Sequence, residues 1–459
     1  MMHLGVNITV KNKPILDEGF IPLYKWFNEY KKEASVPVAI AILRSQGQMA
    51  VHETFIHGTS SKLDADKYYL ERLIKTLLWM KGGFRVYLYG VNDSLFNYIR
   101  DAFSAGGARA FDAEFMAAVY ENEFEVLAAD EKPSAYEVTK PLGRHLDGCR
   151  IGFDAGGSDR KVSAVIDGIP VFSEEVVWHP KTQPDPDYHF QEIVQALKSA
   201  ADHMPRVDAI GISSAGIYID NKTMVASLFI KVPKALYKEK VQDIYLRAAK
   251  EIADVPIVVC NDGDVSALAG GMNLNTNNIL GIAMGTSEAA GFLDKNGHIT
   301  GWLNELAFAP IDAQHEAPCD EWSGDIGCGV KYFSQDAVIR LAPLAGIELD
   351  EKLTPAEKLL HVQNLLKNGS SAAASVFSTI GAYLGHTLPL YYDLYGFHNA
   401  LLLGRVMSGR GGELILEAAE HILKDEYPDI AANITPVLPD EKARRVGQSV
   451  AAASLPERM

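Results

Sequence analysis

The sequence predicts an α/β protein of two strand-and-helix lobes preceded by a further α/β segment. Three observations carry this. An apolar strand ends in a glycine-hydroxyl turn at Ile151-Gly152-Phe153-Asp154-Ala155-Gly156-Gly157-Ser158. A second such strand, Ile279 to Met284, ends in Gly285-Thr286-Ser287. Strands and amphipathic helices alternate after each, the pattern of a largely parallel sheet covered by helices. With 459 residues the chain is also too long for one ordinary core.

Bulk properties narrow the class. Hydrophobic residues make up 47% and charged residues 22%, as in a globular protein. The net charge of −16 argues against a nucleic-acid partner, because phosphate contacts need a basic face. Four scattered cysteines, Cys149, Cys260, Cys319 and Cys328, build no disulfide framework and suggest a reducing compartment. Residues 1–10 lack a basic region followed by a long apolar stretch, and no run reaches the roughly 20 apolar residues of a membrane span. A cytoplasmic protein with no membrane partner is expected.

Residues 1–148 read as a separate α/β domain of unknown role, because the pattern restarts after them. Val36 to Leu43 and Gln48 to Ile56 form a hairpin. Tyr68 to Met80 places Tyr69, Leu70, Leu73, Ile74, Leu77 and Leu78 on one helical face. Phe84 to Tyr89 is a strand, and Asn92-Asp93-Ser94 can cap the helix that follows. This order loosely echoes what begins at Cys149, as a degenerate internal copy would. Glu131 to Arg144, with Pro133 and Pro141, reads as the connector.

After the first glycine turn, Val162 to Asp167 leads into Asp167-Gly168, a hairpin signal. His189 to Met204 is an amphipathic helix, and Val207 to Ser213 is a buried-type strand running into Ser214-Ala215-Gly216. A helix over Leu236 to Ala253 precedes the strand Pro256 to Cys260, which stops at Asn261-Asp262-Gly263-Asp264. A helix of small residues, Val265 to Gly271, follows. Asp154, Gly216 and Asp262 therefore all fall at carboxyl ends of strands, where ligands gather in such folds. Glycines let a backbone approach an anion, and turn N–H groups with a Ser or Thr hydroxyl can donate to phosphate oxygens. Asp154 is placed to hold a cation beside them. Asp262 could equally cap its helix. Ser213-Ser214 misses the Gly-x-Ser-x-Gly spacing of a hydrolase nucleophile.

In the second lobe, Ala289 to Leu293 and the turn Asp294 to Gly297 complete the hairpin. Ala400 to Leu403 runs into Gly404-Arg405-Val406-Met407-Ser408-Gly409 and then the helix Glu413 to Leu423. A helix N-terminus after such a turn suits a nucleotide or anion. Paired glycine turns on duplicated halves suit a phosphate chain held between them.

Taken together, residues from about 149 to 459 resemble the ROK family of repressors and sugar kinases, in the actin, sugar kinase and Hsp70 superfamily. Asp154 to Ser158 is similar to its first phosphate motif, Asp-x-Gly-Gly-Thr. Asn261-Asp262 is similar to its sugar-binding and catalytic pair, and Gly285-Thr286-Ser287 to its second phosphate motif. Gly301 to Asp312 resembles the sugar segment Gly-Glu-x-Gly-His, Leu401 to Gly404 the adenosine-side strand and turn, and Gly447 to Ala451 the helix that returns to the first lobe. The resemblance implies two ribonuclease H-like lobes with a cleft between them, the actin-like ATPase fold, at 149–271 (with the helix at about 440–456) and 272–439.

It further implies ATP-dependent phosphorylation of a hexose or amino sugar. Asp262 would be the general base, Asn261, Glu305 and Gly216 would meet the sugar, and Asp154 would position Mg²⁺. Gly156, Gly157, Ser158, Lys161, Gly285, Thr286 and Ser287 would meet the phosphates of ATP, with Gly404, Arg405 and Ser408 on the adenosine side. The partners would be a small sugar and a nucleotide; a homodimer is one arrangement the sequence leaves open. The alternative is a non-catalytic sugar- or nucleotide-binding regulator on the same fold.

Three departures from the family pattern stand out. Phe308 stands where the family has His. The zinc motif Cys-x-Cys-Gly-x-x-Gly-Cys reads Glu321-Trp322-Ser323-Gly324-Asp325-Ile326-Gly327-Cys328, so no zinc is expected; His315 and Cys319 add no standard ligand spacing. Packing or hydrogen bonds must then order this loop, with Trp322 the expected anchor. Finally, residues 1–148 do not match the winged helix of the family's repressors.

Overall fold

The computed structural model describes residues 1–139, 141–439 and 443–458, the side chains of 443–446 excepted. The chain forms two compact units. The smaller comprises Thr139–Gly281, Gly291–Gly301 and Pro439–Met459; the larger comprises Met1–Val138, Ile282–Ala290 and Trp302–Leu438.

The smaller unit is built on a five-stranded sheet in the order Ile257–Asn261, Ala209–Ser214, Cys149–Ala155, Asp159–Ile166, Ile169–Val177. The first three strands run parallel and the last two are added antiparallel, so the sheet is mixed rather than largely parallel. The hairpin at Asp167-Gly168 has both residues at positive φ (47° and 80°), as a tight two-residue turn requires. Ile151, Phe153, Ile210 and Ile212 are fully buried, packed with Ile193 and Leu197 of the helix Pro186–Ala201.

The other face receives the terminal helix Ala443–Ala453. It lies on a lane of small residues: Gly211 pairs with Gly152, which pairs with Ser163 on the next strand. A Cβ on Gly152 would stand 1.7 Å from Ser449 O, and one on Gly211 1.6 Å from Ala452 O. Ser163 and Ser449 share a 2.7 Å hydrogen bond in the same lane. No side chain fits at Gly152 or Gly211 between sheet and helix, so the helix completes the first sheet's packing.

In the larger unit, residues 1–138 pack together with 302–438 instead of forming the separate domain expected over 1–148. The helix Leu63–Lys81 shows why. Its buried residues include Glu71, Arg72, Lys75 and Thr76 as well as the apolar stripe. Buried charges need partners, and a lone sheet would leave these bare. The N-terminal sheet has the order Met49–Ile56, Val36–Leu43, Arg85–Tyr89, Glu125–Ala128. Arg85–Tyr89 runs antiparallel to Val36–Leu43, whereas Ala209–Ser214 runs parallel to Cys149–Ala155. The echo of the first lobe stops at that strand.

A four-stranded sheet orders Glu288–Leu293, Ile279–Met284, Asn399–Leu403 and Thr435–Val437. Its second, first, third and fourth strands in chain order take the places that the second, first, fourth and fifth strands hold in the five-stranded sheet. The 25-residue helix Ser371–Tyr395, which carries Pro389, packs against the helix Arg410–Glu426 through glycines: a Cβ on Gly381 would stand 2.5 Å from Ile415 O.

Candidate active site

Asp154 lies near the end of the central strand of the smaller unit and is only 8% exposed. Its Oδ1 accepts from Ser213 Oγ at 2.9 Å, and Ser213 is its register partner on the neighbouring strand. Burial pushes the Asp154 carboxyl up to about 7; the Ser213 hydrogen bond opposes this, and the charge of Asp262 adds to it. Gln448 of the terminal helix donates to Ser213 Oγ (3.1 Å) and to the Asp262 carbonyl (3.3 Å), bracing both strand ends. The Asp262 charge raises the Asp154 pKa and the Lys161 charge lowers it, and a single buried carboxylate with waters completing the shell is a donor set that Mg²⁺ accepts.

Asn261, not Asp262, is the N-cap of the helix Asp262–Leu274. Its Oδ1 accepts from Gly263 N at 2.7 Å, and its Nδ2 donates to the carbonyl of Gly216 at 2.7 Å. Both ends of the Asn261 amide are thus committed to the backbone, and Gly216 is tied to the same strand end. Gly216 has φ 137°, and a Cβ there would stand 2.6 Å from Val225 O. Asp262 is partly buried at the first helical position. Burial raises its pKa, against the Gly263 N–H and the Lys181 charge, which lower it.

The turn Gly156-Gly157-Ser158 is pinned by Trp178, whose Nε1 donates to Gly156 O at 2.7 Å. Gly157 and Ser158 are exposed. Asp159 accepts from Ser158 Oγ (3.2 Å) and pairs with Lys161 Nζ (2.8 Å), so two expected phosphate contacts are engaged by a neighbouring carboxylate. Lys181 was not singled out by sequence reasoning. Its Nζ would stand 3.1 Å from a Cβ on Gly157, and its charge reaches Asp262. The buried His189 holds Lys181's segment through the Pro180 carbonyl at 3.0 Å.

In the larger unit, Thr286 and Ser287 are exposed at the turn, whose Gly285 carbonyl accepts from Gln335 N at 2.8 Å. Gly404, at φ 95°, lies directly on the Met284 backbone, where a Cβ would come within 2.3 Å of its carbonyl oxygen. Arg405 is exposed and Ser408 partly buried, ahead of a helix whose N-cap, Gly409, supplies no side-chain acceptor. Glu305 is partly buried, its N–H donating to Trp79 O at 2.9 Å. Phe308 packs among Trp79, Phe111 and Phe115, with its ring 4.4 Å from that of Trp79, so aromatic packing occupies the place of the expected His.

The loop that replaces the zinc motif is held by charge. Asp325 receives Arg72 through two nitrogens (2.9 and 3.2 Å), Lys75 (2.8 Å) and Arg109 (2.6 Å). Glu71 pairs with Arg72 and Arg109, and Asp112 with Lys75. Burial alone would raise the Asp325 pKa, but the three cations outweigh it and hold the carboxyl far below the usual range. Burial pushes the Cys328 thiol up to about 12. Trp322 is 69% exposed and anchors nothing; the turn is closed instead by Asp320, which accepts from Ser323 N at 2.8 Å. No group of three or more His, Cys, Asp or Glu side chains able to hold a metal occurs among the described residues.

No family profile matches the chain. No curated protein sequence matches it either. Solved structures do. A ROK hexokinase from Thermus thermophilus is similar at TM-score 0.51 and 18% identity, over 67% of this chain and 97% of that one. A ROK family transcriptional regulator, a homolog of the E. coli MLC protein, is similar at TM-score 0.54 and 16% identity, over 68% and 79%. A ROK family protein from Streptococcus pneumoniae in complex with sucrose is similar at TM-score 0.50 and 12% identity, over 66% and 97%. The fold is the actin-like α/β fold of ROK sugar kinases, which a ROK regulator shares.

Proposed function

We propose that the protein is an ATP-dependent sugar kinase acting in the cytoplasm. The observation that carries this is the pair Asp154 and Asp262 at the ends of the two strands that flank Ala209–Ser214, braced by Ser213 and Gln448, with both pKa values raised. A pure binding protein has no need of a cation site beside a proton acceptor.

In this reading Asp262 accepts the proton of the attacking sugar hydroxyl, and its raised pKa brings it toward neutral pH, where a general base works best. Asn261 acts by holding the strand end and Gly216 in place, since its amide is already committed. Gly216 and Glu305 supply polar partners for sugar hydroxyls. Gly156, Gly157, Ser158 and Lys161, and in the other unit Gly285, Thr286 and Ser287, are the proposed phosphate contacts. Gly404, Arg405 and Ser408 are the proposed adenosine contacts. Mg²⁺ at Asp154 would neutralise phosphate charge, the main electrostatic demand of phosphoryl transfer. The closed ion network around Asp325 supports a loop that orders without zinc.

One observation favours the second reading, a sugar- or nucleotide-binding regulator. Asp159 places a carboxylate on Ser158 and Lys161 within the phosphate turn. ADP release measured over a panel of hexoses and amino sugars decides between the two. Turnover on any of them supports the kinase; nucleotide binding without turnover supports the regulator.

A further inference from the structure

Glu288 follows the exposed turn at Ser287 but points inward and is 3% exposed. Among the described residues neither of its carboxylate oxygens has a hydrogen-bond partner, and the buried hydroxyl of Tyr391 has none either. A buried polar group left bare costs free energy unless something pairs with it. The place is built for the carboxylate: a Cβ on Gly329 would stand 2.3 Å from Glu288 Oε2 and 2.7 Å from Leu306 O. Glu305, next to Leu306, is near enough for its charge to act on Glu288, and Glu288 in turn acts on Tyr391. No cation lies within ion-pair distance of Glu288 among the described residues, so its carboxylate form would stand here without an opposite charge.

We propose that Glu288 and Tyr391, with Glu305, form an acidic subsite that takes the ammonium group of an amino sugar. This deepens the kinase reading, since it rests on Glu305 meeting the sugar. The stoichiometry favours an ammonium over a hydroxyl. As a carboxylate, Glu288 offers two oxygens and the Tyr391 oxygen is a third acceptor; an ammonium has three donors where a hydroxyl has one. Burial, with the Glu305 charge adding to it, pushes the Glu288 carboxyl up to about 8, so it holds a proton at neutral pH. Binding an ammonium would favour the carboxylate, and that proton would pass to the buffer.

Calorimetry on the full chain tests this at about pH 6, where an aliphatic ammonium is charged. Glucosamine and glucose are titrated in buffers of different ionisation enthalpy. The expected result is glucosamine bound about 30-fold or more tighter than glucose, as for a desolvated charge pair, with a proton released on binding. Glu288→Gln keeps the shape and should abolish both the preference and the proton release. Tyr391→Phe, which removes one acceptor, should weaken glucosamine alone. Glucose bound as tightly as glucosamine overturns the subsite but leaves the kinase reading standing. No sugar bound at all overturns both. Potassium or calcium chloride bound in a Glu288-dependent way overturns the ammonium assignment in favour of a metal ion.

Discussion

Gly152 and Gly211 face one another on parallel strands, and a methyl group on either would overlap the backbone of the terminal helix, at 1.7 Å from Ser449 O and 1.6 Å from Ala452 O. The helix also brings Gln448 to Ser213 and the Asp262 carbonyl. Gly211→Ala should therefore lift the helix, destabilise the protein by roughly 2–3 kcal/mol as overpacking does, and loosen the acidic strand ends. Urea unfolding measures the first effect and sugar-dependent ADP release the second. Unchanged stability would mean the helix does not lie on this lane.

Asp262→Asn should leave the fold intact, because the helix cap is Asn261. Loss of the proton acceptor should lower kcat by about 10²–10⁴. Turnover and melting temperature measured together separate this from a structural role. Unchanged turnover would remove Asp262 from the chemistry.

Lys181→Ala should weaken ATP binding by about tenfold, the scale of one lost charge-assisted hydrogen bond. It should also shift the acidic limb of kcat/KM to higher pH, because the Lys181 charge lowers the Asp262 pKa. A merely structural lysine would leave that limb where it is.

Lys75→Met should destabilise the chain by roughly 3–5 kcal/mol, the cost of stranding buried carboxylates, because Asp112 and Asp325 both lose a partner. Chemical unfolding gives the number. Metal analysis of the wild type after chelator dialysis should find no stoichiometric zinc.

Stability should fall as pH rises across Glu288's titration. The folded carboxyl is raised from 4.5 to about 8. Between those values the native state keeps a proton the unfolded chain has given up, so this contribution is full below about 4.5 and lost as pH climbs through 8. Glu288→Gln should flatten the melting-temperature profile over this window. An equally steep profile in the variant would assign the slope to other groups.

Much of this was legible from residue order, for physical reasons. Asp154-Ala155-Gly156-Gly157-Ser158 and Gly285-Thr286-Ser287 could be read because turn chemistry is local: glycine and a hydroxyl at a strand end mean the same wherever the chain folds. Asn92 as a cap and Asp167-Gly168 as a hairpin turn are local in the same way. The strand and hairpin that open each of the two sheets were legible from the repeated motifs; the strand order was not.

What only the tertiary structure decided are pairings between distant residues. Sequence spacing placed Asn261 and Asp262 together, but only the helix geometry assigned the cap to Asn261. Phe308 in place of His acquired a meaning once Trp79, Phe111 and Phe115 surrounded it. Arg72, Lys75 and Arg109 look like solvated charges in a linear reading, yet they neutralise Asp325 from more than 200 residues away. Their burial ties residues 1–138 into a larger unit, since desolvated charge is tolerated only where an opposite charge is brought to it, and no local pattern announces that.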